Sequence, residues 1–342
     1  MDYDPLIHPL ELPVQRLTLH CLPAAPLQLR PRPGSTPGTL FYGAFGVALW
    51  DCVCARRRRG LAACNQGPEG VQPHCLEPQS CTLPWLFKPY SAVQHRTMTR
   101  PVLLRAPELE TGQPVTAFTL QLTLWGRQAI AARQAVLDTI ASLGATGLDV
   151  AGMRLPFTLA EAHAGPVQTL AERAAALAGQ PWQRLLLQFV TPFLHRESVQ
   201  LDAERRIRLF MAGGLLPLDA ILGNVAYELA AWDMEDRESG ETLDRENRHH
   251  LARQSREAAR QAAQELYLSR CELHPVDVGE RFSRSSGGAY PLQGFQGEVE
   301  LAGPVAVALP WLLALILGGG GQKRAMGFGV VCGWLGLDGC GE

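Results

Sequence analysis

The run LGGGGQKRAMGFGVV, residues 317–331, sets four consecutive glycines before a Lys-Arg pair and a Gly-Phe-Gly. Glycine is costly to order, so such a cluster signals that something approaches the backbone closely. Residues without Cβ let successive N–H groups face the oxygens of an anion. Gly320, Gly321, Gln322 and Gly327 would supply that backbone, and Lys323 and Arg324 would add the charge-assisted contacts that phosphate takes. The plainer alternative is a glycine-rich turn before a strand. The spacing GxxxxGK(S/T) is missing, which excludes a Walker-type loop.

Arginine clusters elsewhere too, and it greatly outnumbers lysine. In DRENRHHLARQSREAARQ (244–261), a helix turning about 100° per residue puts Arg245, His249, Arg253, Arg256 and Arg260 in one narrow sector, with Arg248 beside it. Glu246 and Glu257 lie off the centre of that stripe. The stripe is either a solvated face or a basic finger able to track a phosphate backbone. ARRRRG (55–60) is a basic loop, and LRPRPGSTPG (29–38) is a Pro/Gly loop carrying Arg30 and Arg32. Cys52, Cys54, Cys64, Cys75 and Cys81, with His74, lack paired CxxC spacing. Cys52, Cys64, Cys75 and Cys81 are weak candidates for a structural zinc; the other reading is reduced thiols.

The totals frame these features. A chain of 342 residues fits about two domains. Hydrophobic residues at 46% and charged residues at 19% suit a folded protein. The net charge of −2 makes the clustered arginines a local anionic site rather than general stickiness. MDYDPLIHPLELPVQ does not read as a signal peptide. The longest apolar run, 305–317, contains a proline and is too short to span a bilayer. The expectation is a cytoplasmic protein with no membrane partner, whose thiols are reduced or metal-bound.

The elements that would carry these residues follow one order twice. Strand signals at 14–22, a helix at 39–54, a hairpin at RPVLLRAP and PVTAFTLQLTLWG, a helix at 127–144 and an edge strand at MRLPFTLAEA give β-α-β-β-α-β. A strand at 184–194, a helix at 216–234, strands at 276–284 and 292–302, a helix at 304–318 and the strand GFGVVCGW repeat it. The expected fold is α+β, with tandem ferredoxin-like (βαββαβ) domains. Residues 1–160 form the first, with a Cys-bearing insertion at about 52–90. Residues 161–182 form a linker, and 183–342 the second domain, with a helical insertion at about 236–268 and the glycine loop at 318–329.

FVTPFL after a strand, GFQGEVELAGPVAVALPWLLALI and GGGGQKRAMGFG resemble the C-terminal half of the CRISPR precursor-RNA processing endoribonucleases of the repeat-associated mysterious protein superfamily. GTLFYGAFGVALWDCVC, CTLPWLFKP, RPVLLRAPE and LQLTLWGRQA extend the resemblance into the N-terminal half, and the helical insertion is similar to that of type IV members. The resemblance implies binding of a CRISPR repeat stem-loop and one metal-independent cut. The upstream 2′-hydroxyl would attack the phosphate, leaving a 2′,3′-cyclic phosphate and a 5′-hydroxyl. The mature crRNA would stay bound for delivery to other effector subunits.

That reaction needs a base, a stabiliser of developing charge and an acid. The resemblance implies a histidine near the first helix, but residues 39–54 hold Tyr42 and no histidine. His20, ending the first strand, is the nearest; His95 lies before the hairpin. The candidate catalytic set is His20, Arg30 and Tyr42, with Arg32 and the stripe and loop residues on RNA. Arg30 and Arg32 could hold the scissile phosphate and act by positioning alone. Three functions stay open: the endoribonuclease, a non-catalytic RNA-binding subunit of an effector complex, and a zinc-dependent enzyme or interaction module unrelated to RNA.

Overall fold

The computed structural model describes residues 4–28, 37–54, 86, 90–91, 96–97, 100–106, 113–150, 153–178, 184–194, 216–236, 245–283, 288–322, 324 and 327–336. After a 3-10 turn at His8–Glu11, β1 (Pro13–Pro23) alternates along its length. Leu17, Leu19 and Cys21 are buried, whereas Arg16, Thr18 and His20 fall on the opposite face. The buried face lies under α1 (Pro37–Val53). Next come β2 (Tyr90–Ser91), β3 (Arg96–Thr97), β4 (Val102–Arg105), β5 (Phe118–Trp125), α2 (Gly126–Ala131) and α3 (Arg133–Thr146). A small hairpin of β6 (Leu148–Val150) and β7 (Met153–Leu155) leads to β8 (Phe157–Ala164), β9 (Gln168–Thr169) and α4 (Leu170–Ala178). The first sheet runs β4-β5-β1-β8 and is antiparallel throughout, with β9 also pairing β1.

The second half contains β10 (Arg184–Phe193), α5 (Leu218–Asp236), α6 (Arg245–Gln264), β11 (Tyr267–Ser283), β12 (Gly288–Ala302), α7 (Val305–Gly318) and β13 (Val331–Gly336). Its antiparallel sheet runs β11-β12-β10-β13. Both sheets therefore share one plan: the first principal strand lies between the third and the fourth, and the second lies outside the third. The architecture is mixed α+β with antiparallel sheets, in the element order the sequence implies. Among the described residues, no helix is long and apolar enough to cross a membrane.

Several boundaries differ from expectation for local reasons. The helix expected over 127–144 breaks at Ala132, whose N–H turns back to the carbonyls of Gln128 and Ile130. MRLPFTLAEA is two strands: Met153–Leu155 folds onto Leu148–Val150, and Phe157–Ala164 joins β1. The stretch 161–182 holds the end of β8, then β9 and α4. β11 begins at Tyr267, before the expected 276, because exposed polar residues such as Ser269, Arg270 and Glu272 hide the alternation while cross-strand pairing holds the register. Pro310 sits inside α7, which runs unbroken from Val305. Most of the Cys-bearing stretch lies outside the described residues.

One core fills the space between the first sheet and α1 and α3, around Phe41, Leu49, Leu122 and Ile140. The other joins β10, β12, α5 and α7 and takes in Leu12, Val14, Leu103 and Trp125 from the first half. The Trp125 and Trp232 rings lie 5.6 Å apart. The Thr123 hydroxyl donates to the Leu317 carbonyl at 3.0 Å. Asp236, the last residue of α5, accepts from the N–H groups of Arg127 (2.6 Å) and Gln128 (3.0 Å) at the start of α2. A carboxylate there satisfies two orphan donors and meets the positive end of the helix. Asp236→Ala should lower stability by about 1–2 kcal/mol and Asp236→Asn by less, as read from thermal and urea unfolding.

Candidate nucleic-acid interface

The open face of the first sheet faces the C-terminal end of α7 and the glycine loop across a cleft. Arg16, Arg105, Gln121, Gly319, Arg324 and Val330 are among its lining residues. Arg16 on β1, Arg105 on β4 and Arg173 on α4 gather at this end. Burial pushes the Arg16 guanidinium below its ordinary pKa, and the like charges of Arg105 and Arg173 push it the same way, while Cys332 opposes. Burial also lowers Arg173, whose buried Nε has no hydrogen-bond partner among the described residues. Arg105 donates to the Cys332 sulfur at 2.8 Å. No carboxylate among the described residues offsets Arg16 or Arg173. Cations held together without an acid stabilise a bound anion, because it relieves both the mutual repulsion and the desolvation.

Four residues further along β1, about 13 Å away, His20 occupies the same face. Its neighbour on one side is Thr119, whose Oγ1 lies 3.2 Å from His20 Nδ1. Glu161 is its partner on the other, and His163 stands opposite Thr18. The His20 and His163 rings meet edge to face, 5.6 Å between centroids. His163 Nε2 lies 3.0 Å from Glu161 Oε2. The sequence singles out His20; Glu161, His163, Arg105 and Arg173 join it and Arg16 only through the tertiary structure. The signal was present in part: VQRLTLHCL puts Arg16 and His20 on one face, and Glu161 and His163 sit two apart in FTLAEAHA. What brings β8 beside β1 is tertiary, so the pair itself was not visible.

Much of the glycine loop does other work than expected. The N–H groups of Gly320, Gln322, Gly327 and Gly329 go to the carbonyls of Gly329, Leu194, Arg324 and Pro192. They are therefore taken by protein rather than by phosphate. The glycines are needed for contact of chain with chain. Gly329 has φ +69°, and a Cβ there would lie 1.8 Å from the Gly320 carbonyl oxygen. A Cβ on Gly320 would strike Leu315 and Phe193, and one on Gly321 the Leu194 carbonyl. Arg324 turns inward: it is 9% exposed, pairs with Glu228 and donates to the carbonyls of Gly318 and Gly319. Burial pushes its guanidinium down to about 10, so it stays charged at neutral pH. The expected surface contact from Arg324 is corrected to an internal clamp. Lys323 lies outside the described residues.

The basic stripe is likewise drawn against its neighbour. α6 packs on α5 through Ala252, Ala259 and Ala263, small residues that admit close approach, while the Ser255 hydroxyl donates to the Pro5 carbonyl. Gly223 of α5 accommodates the stems of Arg256 and Arg260: a Cβ there would lie 2.7 Å from Arg260 Cγ and 3.2 Å from Arg256 Cγ. Arg260 pairs with Asp219 at 3.2 Å, Arg248 with Glu235 at 3.3 Å, and His249 Nδ1 lies 3.1 Å from the Tyr227 hydroxyl. Sequence alone could not supply those acids, which come from another helix. Arg253 and Arg256 are exposed; the side chain of Arg245 is outside the described set.

Tyr42 is buried in the first core, on the sheet face opposite His20, under the Arg100 guanidinium at 4.4 Å. It is therefore not beside His20 as an acid or a stacking platform. Arg30, Arg32, His95, Cys64, Cys75 and Cys81 lie outside the described residues. Cys52 and Cys54, at the end of α1, are free thiols.

Comparison with known proteins points to one architecture. Residues 12–180 match a family model described as AF_1859_N, N-terminal domain. No curated protein matches the sequence. The structure is similar to a product complex of Cas6 (TTHB231) from Thermus thermophilus, with 18% identity, TM-score 0.52, 95% of this chain and 100% of that one covered. It is also similar to a partial Cas6-RT-Cas1–Cas2 complex, with 12% identity, TM-score 0.50, 97% of this chain and 47% of that one covered. A RAMP protein binding different RNA substrates aligns at 11% identity and TM-score 0.46, covering 94% of this chain and 100% of that one. The fold is Cas6-like.

Arg324→Met should lower stability by about 2–3 kcal/mol, less than breaking a fully buried pair because Glu228 is part-exposed. Arg253→Ala should stay within about 0.5 kcal/mol of the parent. Urea unfolding of both variants checks the contrast.

Proposed function

We propose that the chain binds CRISPR repeat stem-loop RNA and cleaves precursor crRNA without a metal. Two ferredoxin-like halves, about 1–160 and 183–342, frame the cleft that takes the RNA. The observation that carries the reading is the open face of the first sheet, where Arg16 and Arg173, with no carboxylate offsetting them among the described residues, lead to a histidine pair. Arg16, Arg105 and Arg173 hold the sugar-phosphate chain, with exposed Arg253 and Arg256 available to a more distant part of the stem. A scissile phosphate set against the edges of the His20 and His163 rings comes within reach of both imidazoles once the rings part from their edge-to-face contact. The neutral imidazole accepts the proton of the upstream 2′-hydroxyl as its oxygen bonds to phosphorus. The other, protonated, gives its proton to the departing 5′-oxygen. The products are a 2′,3′-cyclic phosphate and a 5′-hydroxyl. Glu161 orients His163, and Thr119 fixes the His20 ring. The likeness to a Cas6 product complex supports an RNA substrate of the CRISPR class, and the product would be retained for an effector complex.

A second reading has its own support. Tyr42 stands on the far side of the sheet from His20, so no acid from α1 joins the pair. That favours a non-catalytic subunit that holds repeat RNA in a CRISPR effector complex. The zinc-dependent module unrelated to RNA has no comparable support.

Labelled repeat RNA in EDTA should be cut once, and a 2′-deoxy substitution at the cut should stop it. His20→Ala and His163→Ala should each slow single-turnover cleavage by about 100-fold or more while leaving binding intact. Tight binding with no cutting selects the second reading. Arg16→Ala should weaken repeat binding by about tenfold, equivalent to about 1.4 kcal/mol, and flatten its salt dependence. Binding unchanged in Arg16→Ala and in Arg173→Ala would show that the cleft is not the RNA site.

A further inference from the structure

We infer that His20, Glu161 and His163 form a binding site for a divalent ion of the zinc class, and that the ion switches the histidine pair off. The three residues present ligand atoms that all lie within 4.8 Å of one another. His163 Nε2 and Glu161 Oε2 are already 3.0 Å apart, close to the separation of two ligands on one ion with bonds of about 2.1 Å. An ion can take the place of the proton shared between them. His20 closes the third side. Its Nδ1 faces the Thr119 hydroxyl at 3.2 Å, and a hydrogen bond from Nδ1 leaves the Nε2 lone pair for the metal, as outer partners of ligating histidines do. Small side-chain rotations complete the site, since these residues are exposed or half-buried and unconstrained by core packing.

The backbone holds the three together without help from a loop. His20 and Glu161 are direct partners across antiparallel strands. His163 follows Glu161 by two residues and so shares its face. Two imidazoles and one carboxylate suit zinc or a similar borderline ion and not magnesium, which prefers oxygen ligands. Three protein ligands leave a fourth position for water or a phosphate oxygen.

The binding stands on this geometry alone; its consequence rests on the acid–base role proposed above. The lone pairs that ligate the ion are those that would accept and deliver protons. Zinc therefore competes with cleavage, and the ion acts as an inhibitor where most nucleases use one as an activator.

The test titrates untagged full-length protein with zinc chloride by calorimetry, alongside His163→Ala and Glu161→Gln. One binding event should weaken by about tenfold or more in each variant. Cobalt added to the parent protein should give visible d–d absorption that is lost in His163→Ala. A cysteine site would instead add a sulfur-to-cobalt charge-transfer band that His163→Ala leaves in place. Identical zinc binding by the parent and both variants overturns the site. Single-turnover cleavage of repeat RNA then reads the switch: zinc should suppress it, magnesium should not, and EDTA should restore it. Cleavage undiminished with the site saturated by zinc overturns the switch. Zinc bound by a protein that never cuts in EDTA upholds the site and removes the acid–base reading.

Discussion

The contact between the two halves governs the rest of the molecule. Trp125 ends the fifth strand and lies against Trp232 and Gly318. Beside it Thr123 donates to the Leu317 carbonyl near the end of α7, and Asp236 caps α2 from the other half. These contacts are buried, directional and far apart in sequence, so they fix how the first sheet meets α7 and the glycine loop. The cleft exists because they do. The sheet face is open at His20 and covered at Thr123, so the cleft has a closed end and an exposed end.

Charge placement follows from that geometry. A guanidinium can be buried if it is answered within the protein or if an outside anion answers it. Arg324 takes the first course, with Glu228 and two carbonyls around it. Arg16 and Arg173 have no acid near them among the described residues, and their burial depresses both. The two kinds of arginine lie on one cleft, and only their surroundings tell them apart. Residue type alone predicts neither role.

This distinction marks how far the sequence could be read. Element order was legible because hydrophobic period and glycine and proline punctuation are local, and both sheets follow it. The basic helix was legible as a helix, but its sector of arginines was read without the acids of α5, so Arg260 and Arg248 looked freer than they are. The glycine loop was recognised as a close approach of backbones, while the partner proved to be the chain itself. His20 could be found from one strand; His163 needed the pairing of β8 with β1, a contact between residues more than a hundred positions apart.

The crossing of Gly320 and Gly329 carries a lesson for anyone comparing orthologues. With 1.8 Å between a would-be methyl and a carbonyl oxygen, every side chain is shut out at residue 329 whatever the protein binds. Purifying selection at that codon would persist even in a descendant that had lost its substrate. An invariant column there reports the architecture of a crossing of backbone and carries no trace of ligand recognition.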